Sequence, residues 1–436
     1  MALNLNRVCI NMNKLFLYIF SFIFSVTALY AQVGNETTAN LEKAKAEMKR
    51  NRLDFAPDYT QAVNLLQKVV SVDSLNAEAW YYYGYALDRM NSFDGETMLD
   101  VDLRQTIKAS DAFQKSIELS NDAYKGEILL LDPHTKILSV WGTQAYRYLY
   151  ENKRDSAEWC MRQAFQRGGI NKTVVDYFRQ VLDECTPGSY LFTNGDMYLY
   201  YLLYLQMVDR YRVDIRYMDL NLLNTRWYPA WLQTKGLLQV SYSADELQKV
   251  IADKWIAQKV TIKNKNEKYS DSAIAWTLLP TYANKFLLRS DRIILNLIQQ
   301  NAFDRDVFFA GDVPSNMRLF LDGYMQSKGL TYKLIPQLKT DNTFELEIRL
   351  KKLEHISTDS KSYLNNRDNI QLLNNYRFAY TTAAFIASQN NQPQKALEFI
   401  ESAERKYPED VLPFFAEETK NWFLQLKQKA EKNEKL

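Results

Sequence analysis

The residues best suited to chemistry in this 436-residue chain lie in a short turn, Thr193-Asn194-Gly195-Asp196. The residues before the turn are typical of a buried strand, and the aromatic run after it is typical of a helix. Ligands of open α/β sheets bind beyond the carboxyl ends of strands, and a helix N-terminus offers free N–H groups to an anion. The Asp196 carboxylate would oppose an anion but suits a cation or a sugar hydroxyl. This turn is therefore the main candidate ligand site.

The same residues also have a purely structural interpretation. Asn194 and Gly195 are common turn residues, Gly195 would adopt a positive φ, and the Asp196 side chain would cap the helix. We favour this structural interpretation and keep ligand binding as the alternative.

Polar residues also follow two further predicted strands. Asn221, Asn224, Thr225 and Arg226 follow the second strand, and Gly311 and Asp312 follow the third. If the strands are parallel, these residues share one edge of the sheet with the turn. The candidate ligand-binding set is therefore Thr193, Asn194, Gly195, Asp196, Asn224 and Asp312.

Residues for other chemistries are scarce. The two histidines, His134 and His355, are far apart in the sequence, and no His/Cys cluster has the spacing of metal ligands. No G-x-S-x-G, P-loop or H-E-x-x-H motif occurs. We predict no metal, no cofactor and no catalytic residue, and hence a protein that is not an enzyme.

The elements around the site are predicted to be mainly helical, because Gly (13) and Pro (10) are scarce and 47% of residues are apolar. Trp80, Tyr83, Gly84 and Leu87 follow the spacing of the first helix of a tetratricopeptide repeat. Ala396, Ile400, Ala403 and Pro408 follow that of a second helix. We predict tetratricopeptide-like helical hairpins over residues 36–185 and 360–431, the latter with a capping helix.

A smaller α/β domain is predicted over residues 186–340. The stretch from Ser189 to Gln233 is expected to form a strand, a tight turn, a helix, a second strand and a second helix. Further strands are expected at Asp306–Ala310 and Leu330–Ile335, and further helices at Ala244–Lys259, Arg289–Asn301 and Met317–Lys328. Val260–Asn266 is expected to be extended. Alternating strands and helices favour a small parallel sheet with right-handed crossovers. The predicted fold class is therefore α with an inserted α/β domain.

The first 31 residues are predicted to be a signal peptide. A short basic start, Met12-Asn13-Lys14, precedes the apolar run Leu15–Leu29, and cleavage is expected near Ala31. An uncleaved anchor is the alternative. No later apolar run has the length of a membrane span.

Charge and cysteine content fit an exported protein without a nucleic-acid partner. Residues 1–31 contain Arg7 and Lys14 and no acid, so their removal lowers the formal charge from +2 to zero. A neutral chain lacks the basic surface that binding to the phosphates of nucleic acid requires.

Cys160 and Cys185 could pair in an oxidising compartment, but each is expected to be a buried helical residue.

Several stretches carry a family resemblance. These stretches are FTNGD with the aromatic helix after it, YLQ, R-x-DIRYMDLNLLNTRWY, DVFFA and GLTYKLIP. They resemble the soluble C-terminal portion of protein-O-mannosyltransferase-like membrane proteins of Bacteroidetes, which is a domain of unknown function. The corresponding family stretches read TNGDNDT, YLQ, R-x-DVRVVNLSLL-x-T-x-WY, R-x-IYFA and GL-x-YRLVP. The resemblance covers residues 186–415.

Two departures from the family pattern affect what this resemblance implies. The multi-span part that would carry transferase chemistry is missing from the given sequence, so the resemblance implies an extracytoplasmic accessory module. The polar run after TNGD is replaced by Met197, Tyr198 and Leu199, which would remove part of a ligand site.

Together these observations predict a periplasmic, non-enzymatic scaffold that binds an envelope protein through the concave face of its helices. The alternative is a glycan-binding or glycosylation-accessory module that uses the Asn194/Asp196 strand-end cleft.

The signal peptide gives a direct prediction. The mature protein should begin near Gln32, because cleavage is expected after Ala31. N-terminal sequencing of protein recovered from the periplasm checks this, and intact residues 12–31 in a membrane fraction would contradict it.

Overall fold

The computed structural model describes residues 34–54, 57–338, 342–353, 355–356 and 360–436. The predicted signal peptide lies outside these residues. The fold is mostly helical with small mixed sheets, in agreement with a helical protein that contains an inserted sheet. Among the described residues, none of the helices combines the length and apolar character that a membrane span requires.

In the part of the chain that the structure describes, seven α-helices precede the main sheet, and consecutive helices from α2 to α6 pack against each other. Polar side chains begin several of them: Asn76, Asp102, Asp132 and Asn171 each accept a hydrogen bond from a backbone N–H of the first turn. These helices are α1 (34–51), α2 (Thr60–Val72), α3 (Ala77–Asn91), α4 (Leu103–Leu119), α5 (Pro133–Tyr150), α6 (Arg154–Gln166) and α7 (Lys172–Asp183).

The main sheet has five strands in the order β2-β1-β7-β9-β8. β1 pairs in parallel with β2 and β7, whereas β9 runs antiparallel to both β7 and β8. The strands are β1 (Tyr190–Thr193), β2 (Arg216–Asp219), β7 (Val307–Ala310), β8 (Met325–Ser327) and β9 (Thr331–Leu334). The prediction of a purely parallel sheet is therefore wrong. A three-residue connection with Gly329 at φ +118° joins β8 to β9, and so short a connection permits only an antiparallel pair.

The elements between and after the strands complete the fold. Between β1 and β7 lie α8 (Asp196–Met207), α9 (Trp227–Thr234), α10 (Ala244–Lys249), β3 (Asp253–Lys254), β4 (Gln258–Lys263), β5 (Ala273–Leu278), β6 (Phe286–Leu287) and α11 (Arg289–Asn301). The C-terminal helices are α12 (Thr343–Lys352), α13 (Arg367–Leu373), α14 (Asn375–Gln389), α15 (Pro393–Lys406) and α16 (Glu417–Glu431).

Of the helices predicted in the inserted region, one is shorter than predicted and one does not form. The helix expected at Ala244–Lys259 ends at Lys249, and the extended segment that follows forms a hairpin of β4 with β5. Residues Met317–Lys328 form 3-10 turns and strand β8 instead of a helix, because Leu319 and Phe320 both have positive φ. Such values interrupt a right-handed helix.

The helical hairpins show the close contacts that their small residues predict. Gly84 in α3 lies against Phe113 and the carbonyl of Ala109 in α4, and α14 packs on α15. Their tetratricopeptide-like character and the predicted domain boundaries stay predictions. Cys160 and Cys185 are both buried free thiols.

Helix α8 is buried along most of its length and lies against α5 at a glycine. A methyl group at Gly142 would clash with the buried Tyr200 ring. The Tyr200 hydroxyl is itself fixed by a hydrogen bond of 2.9 Å with Thr143 Oγ1. The missing side chain at Gly142 therefore sets how closely α8 approaches α5.

Replacing Gly142 by Ala should destabilise the protein, although alanine favours a helix over glycine by about 1 kcal/mol. The methyl group must displace a packed ring, and such overpacking costs about 1–3 kcal/mol. Urea unfolding should show a lower midpoint. Gly34→Ala is the control, because a methyl group there meets nothing within 4 Å. Equal midpoints for the two variants would contradict the close contact at Gly142.

Candidate functional site: a cleft at the strand ends

The carboxyl ends of the three parallel strands meet at one edge of the main sheet. Gly195 and Asp196 follow β1, Asn221 follows β2 and Asp312 follows β7. Helices from both ends of the chain surround this edge. Two adjoining recesses remain, which share Arg89, Gly195 and Asp196 in their walls. We call them together the strand-end cleft.

Asp219, the last residue of β2, holds the turns at this edge in place. Its Oδ2 accepts a hydrogen bond of 2.7 Å from the N–H of Gly195, and its Oδ1 accepts two of 2.9 Å from the N–H groups of Asn221 and Leu222. The side chain is 2% exposed, and this burial raises the pKa of Asp219 to about 6, although the three N–H groups favour its charged form. One carboxylate thus joins the turn after β1 to the turn after β2.

Gly195 behaves as predicted, and Asp196 does not. Gly195 has φ +90°, the left-handed region that favours glycine. Gly195 itself is the N-cap of α8, and within the described part of the chain no side chain caps this helix. Asp196 is the first helical residue, and its Oδ2 accepts a hydrogen bond of 2.7 Å from Ser139 Oγ in α5. The predicted cap is therefore wrong, because the Asp196 carboxylate points to a neighbouring helix.

Two of the six predicted site residues are structural. Thr193 is fully buried and donates a hydrogen bond of 3.3 Å to the carbonyl of Met218. Asn224 donates to the carbonyl of Leu220 at 3.2 Å and accepts a bond of 3.0 Å from the N–H of Ser290. Both side chains are used within the fold, so neither contributes to the cleft.

The larger recess, of about 480 Å³, brings together Asn194, Gly195, Asp196 and Asp312. Asn194 also accepts a hydrogen bond of 2.8 Å from the side chain of Asn221. The opposite wall comes from the C-terminal helices and the segment that follows α15, and consists of Asp368, Gln371, Leu372, Asn375, Phe378 and Phe415. Four of the six predicted residues therefore lie in one recess with acidic, amide and aromatic neighbours.

Asp312 has the most perturbed carboxyl group of the larger recess. Its side chain is exposed and lines the recess, but the loss of water caused by the surrounding protein raises its pKa to about 7, which the neighbouring Tyr198 hydroxyl opposes. The Tyr198 hydroxyl bonds to that of Tyr177 at 2.9 Å. Asp312 thus lies beside a buried tyrosine pair at a place that a ligand can reach.

The smaller recess, of about 220 Å³, includes two cations that the sequence did not reveal. Lys136 in α5 is 3% exposed, pairs with Asp88 at 2.6 Å and lies 4.7 Å above the Tyr85 ring. Arg89 lines both recesses and donates to the carbonyl of Phe93 at 2.9 Å. These residues come from helices more than 50 positions before the turn, so local patterns gave no signal for them.

The strand-end cleft therefore offers fixed hydrogen-bond acceptors, amide groups and a guanidinium group within one space. In the described residues, no group of three or more His, Cys, Asp or Glu side chains is arranged to hold a metal ion. Such a mixture can bind a polar ligand that both donates and accepts hydrogen bonds.

One part of the chain matches a known family. The family model of TMEM260-associated domain 2 matches residues 174–237 and 239–360, and TMEM260 is a protein-O-mannosyltransferase-related family. The match spans less than half of the chain and includes all three strand ends. It is consistent with the predicted resemblance to protein-O-mannosyltransferase-like proteins in this part of the chain. No curated protein matches the chain.

Most of the walls of the cleft lie outside the matched residues. Helices α3 and α5, with Arg89 and Lys136, precede the match, and helices α13 and α14 follow it. The similar domain thus supplies the strand ends, and the rest of this chain encloses them.

Asp219 and Asp196 should differ clearly in their contribution to stability. Asp219→Ala leaves three backbone N–H groups without their acceptor, which should cost on the order of 3 kcal/mol or more. Asp196→Ala removes one bond, and the single Ser139 hydroxyl hydrogen can turn to the Thr135 carbonyl, which lies 3.0 Å away. The cost should therefore be about 1 kcal/mol. Urea unfolding at pH 7 measures both. Equal losses of unfolding free energy in the two variants would show that Asp219 does not hold the turns.

Proposed function

We propose that this protein is an exported, non-catalytic module that binds a glycan in the strand-end cleft. The observation that carries the proposal is that Asp196 and Asp312 line one open recess together with Asn194. This arrangement supports the alternative role that the sequence offered for the turn.

The residues of the larger recess suit sugar hydroxyls. Carboxylates accept hydrogen bonds, and amide side chains both donate and accept them, so Asp312 and Gln371 can bind neighbouring hydroxyl groups. Gln371 is exposed, and Phe378 and Phe415 add apolar surface to the same wall. A volume of about 480 Å³ lies within the range of small-molecule sites.

The positions of the two acids suit the binding of sugar hydroxyls. Asp196 is held by Ser139 at 2.7 Å, so its carboxylate is an acceptor of fixed position. Asp312, with a pKa of about 7, can either accept a hydrogen bond from a hydroxyl group or donate one to it. The similarity to a TMEM260-associated domain, with its relation to protein-O-mannosyltransferases, makes mannosides the first ligands to test.

Titration calorimetry with methyl α-mannoside and α-mannobiose should detect binding, and Asp312→Asn should weaken it about tenfold, equivalent to about 1.4 kcal/mol. Asp155→Asn is the matched control, because Asp155 is exposed in α6 and lines neither recess of the cleft. Equal affinities of the two variants would contradict the proposed site. Release or transfer of mannose during the titration would contradict a non-catalytic role.

Protein–protein scaffolding in the periplasm is the second candidate function. Trp422 and Leu424 of α16 remain 37% and 40% exposed next to the C-terminal helical hairpin, and tetratricopeptide-like stacks bind partners through such helical surfaces. If neither mannoside binds the unaltered protein, this second candidate takes precedence.

A further inference from the structure

A separate cavity of about 430 Å³ lies at the other end of α8 and β2 from the strand-end cleft. The C-terminal part of α8 contributes Leu203 and Met207, the start of β2 contributes Arg216 and Tyr217, and the end of α5 contributes Tyr146. Helix α9 closes the remaining side. We call this space the aromatic cavity.

The walls of the aromatic cavity are mainly aromatic and aliphatic. Tyr146 and Tyr217 contact each other through their hydroxyl groups at 3.4 Å, and Tyr228 stacks on Trp231 with ring centroids 6.1 Å apart. The indole Nε1 of Trp231 is buried and has no hydrogen-bond partner in the described part of the chain. The walls therefore suit an apolar group, with one N–H group still available for bonding.

The charged residues that line this cavity are all cations. They are Arg154, Arg216 and Lys235, and the described lining includes no Asp or Glu. Arg154 and Lys235 are exposed, and Arg216 is half-buried against the Tyr190 ring. A lining that holds cations and no acid attracts anions to such a space.

These three cations differ in their ion pairing from the basic residues around them. Arg147 pairs with Glu151 at 3.0 Å, and Arg212 pairs with Asp214 at 3.0 Å. Arg154, Arg216 and Lys235 form no ion pair with any carboxylate of the described residues. The positive charges beside the aromatic cavity are thus left for an external partner.

We propose that the aromatic cavity binds a small amphipathic anion. Its ring or short acyl chain lies against the packed cluster of Tyr146, Tyr228 and Trp231. Its carboxylate or other acidic group lies among the three cations of the lining. The volume of about 430 Å³ is that of a small-molecule site. This proposal does not depend on glycan binding, since the two sites lie at opposite ends of α8.

The probe for the test is 1-anilinonaphthalene-8-sulfonate, an aromatic anion that fluoresces in apolar sites. Decanoate should displace it, whereas the neutral decanol should be about tenfold weaker or more, because it lacks the charge that three cations bind. Methyl α-mannoside should displace none of the probe, so failure of one site can be told apart from failure of the other.

Charge reversal at Lys235 locates the binding. Lys235→Glu should weaken decanoate binding at least about tenfold and leave decanol binding unchanged. Lys259→Glu is the matched control, because Lys259 is an equally exposed lysine that does not line the cavity. Both substitutions lie on the surface and should fold. Equal decanoate affinities of the two variants, or equal displacement by decanoate and decanol, would overturn the proposal.

Discussion

The arrangement of the strand-end cleft depends on the buried carboxylate of Asp219. Three backbone N–H groups from two different turns converge on it. Its pKa nevertheless stays above the ordinary range of an aspartate, so the loss of water around the carboxylate outweighs these bonds in their effect on ionisation. The carboxylate is therefore best understood as a geometric constraint. It fixes Gly195 at the start of α8 and thereby directs Asp196 into the cleft.

Helix α8 lies between the two candidate sites, one at each of its ends. It is apolar on all sides and buried on most of them, as expected for a helix enclosed by other elements. Twelve residues span roughly 18 Å, so the strand-end cleft and the aromatic cavity are separate spaces on one rigid element. Acids and amides prevail around its first residues and cations around its last. The two ends therefore suit ligands of different chemistry.

The sequence predicted those parts of the structure that local patterns encode. The positive φ of Gly195 follows from an Asn-Gly turn, and the approach of Gly84 to Phe113 follows from helical spacing. The direction of β9 could not be read from its residues, because a strand pattern is the same in either direction. Likewise, Asn194 and Asn224 both follow a strand, yet only Asn194 lies in the cleft. The side chain of Asn224 instead accepts a hydrogen bond from the backbone N–H of Ser290, which is distant in the sequence.

The cleft as a whole could not be predicted because its walls come from three separate parts of the chain. The strand ends lie within the residues that match the TMEM260-associated domain, whereas Arg89 and Gln371 lie outside them. If a glycan binds in the cleft, as we propose, it contacts both kinds of residue. Its general class would then follow from the acids of the strand ends, and its detailed selectivity from the helices that enclose them.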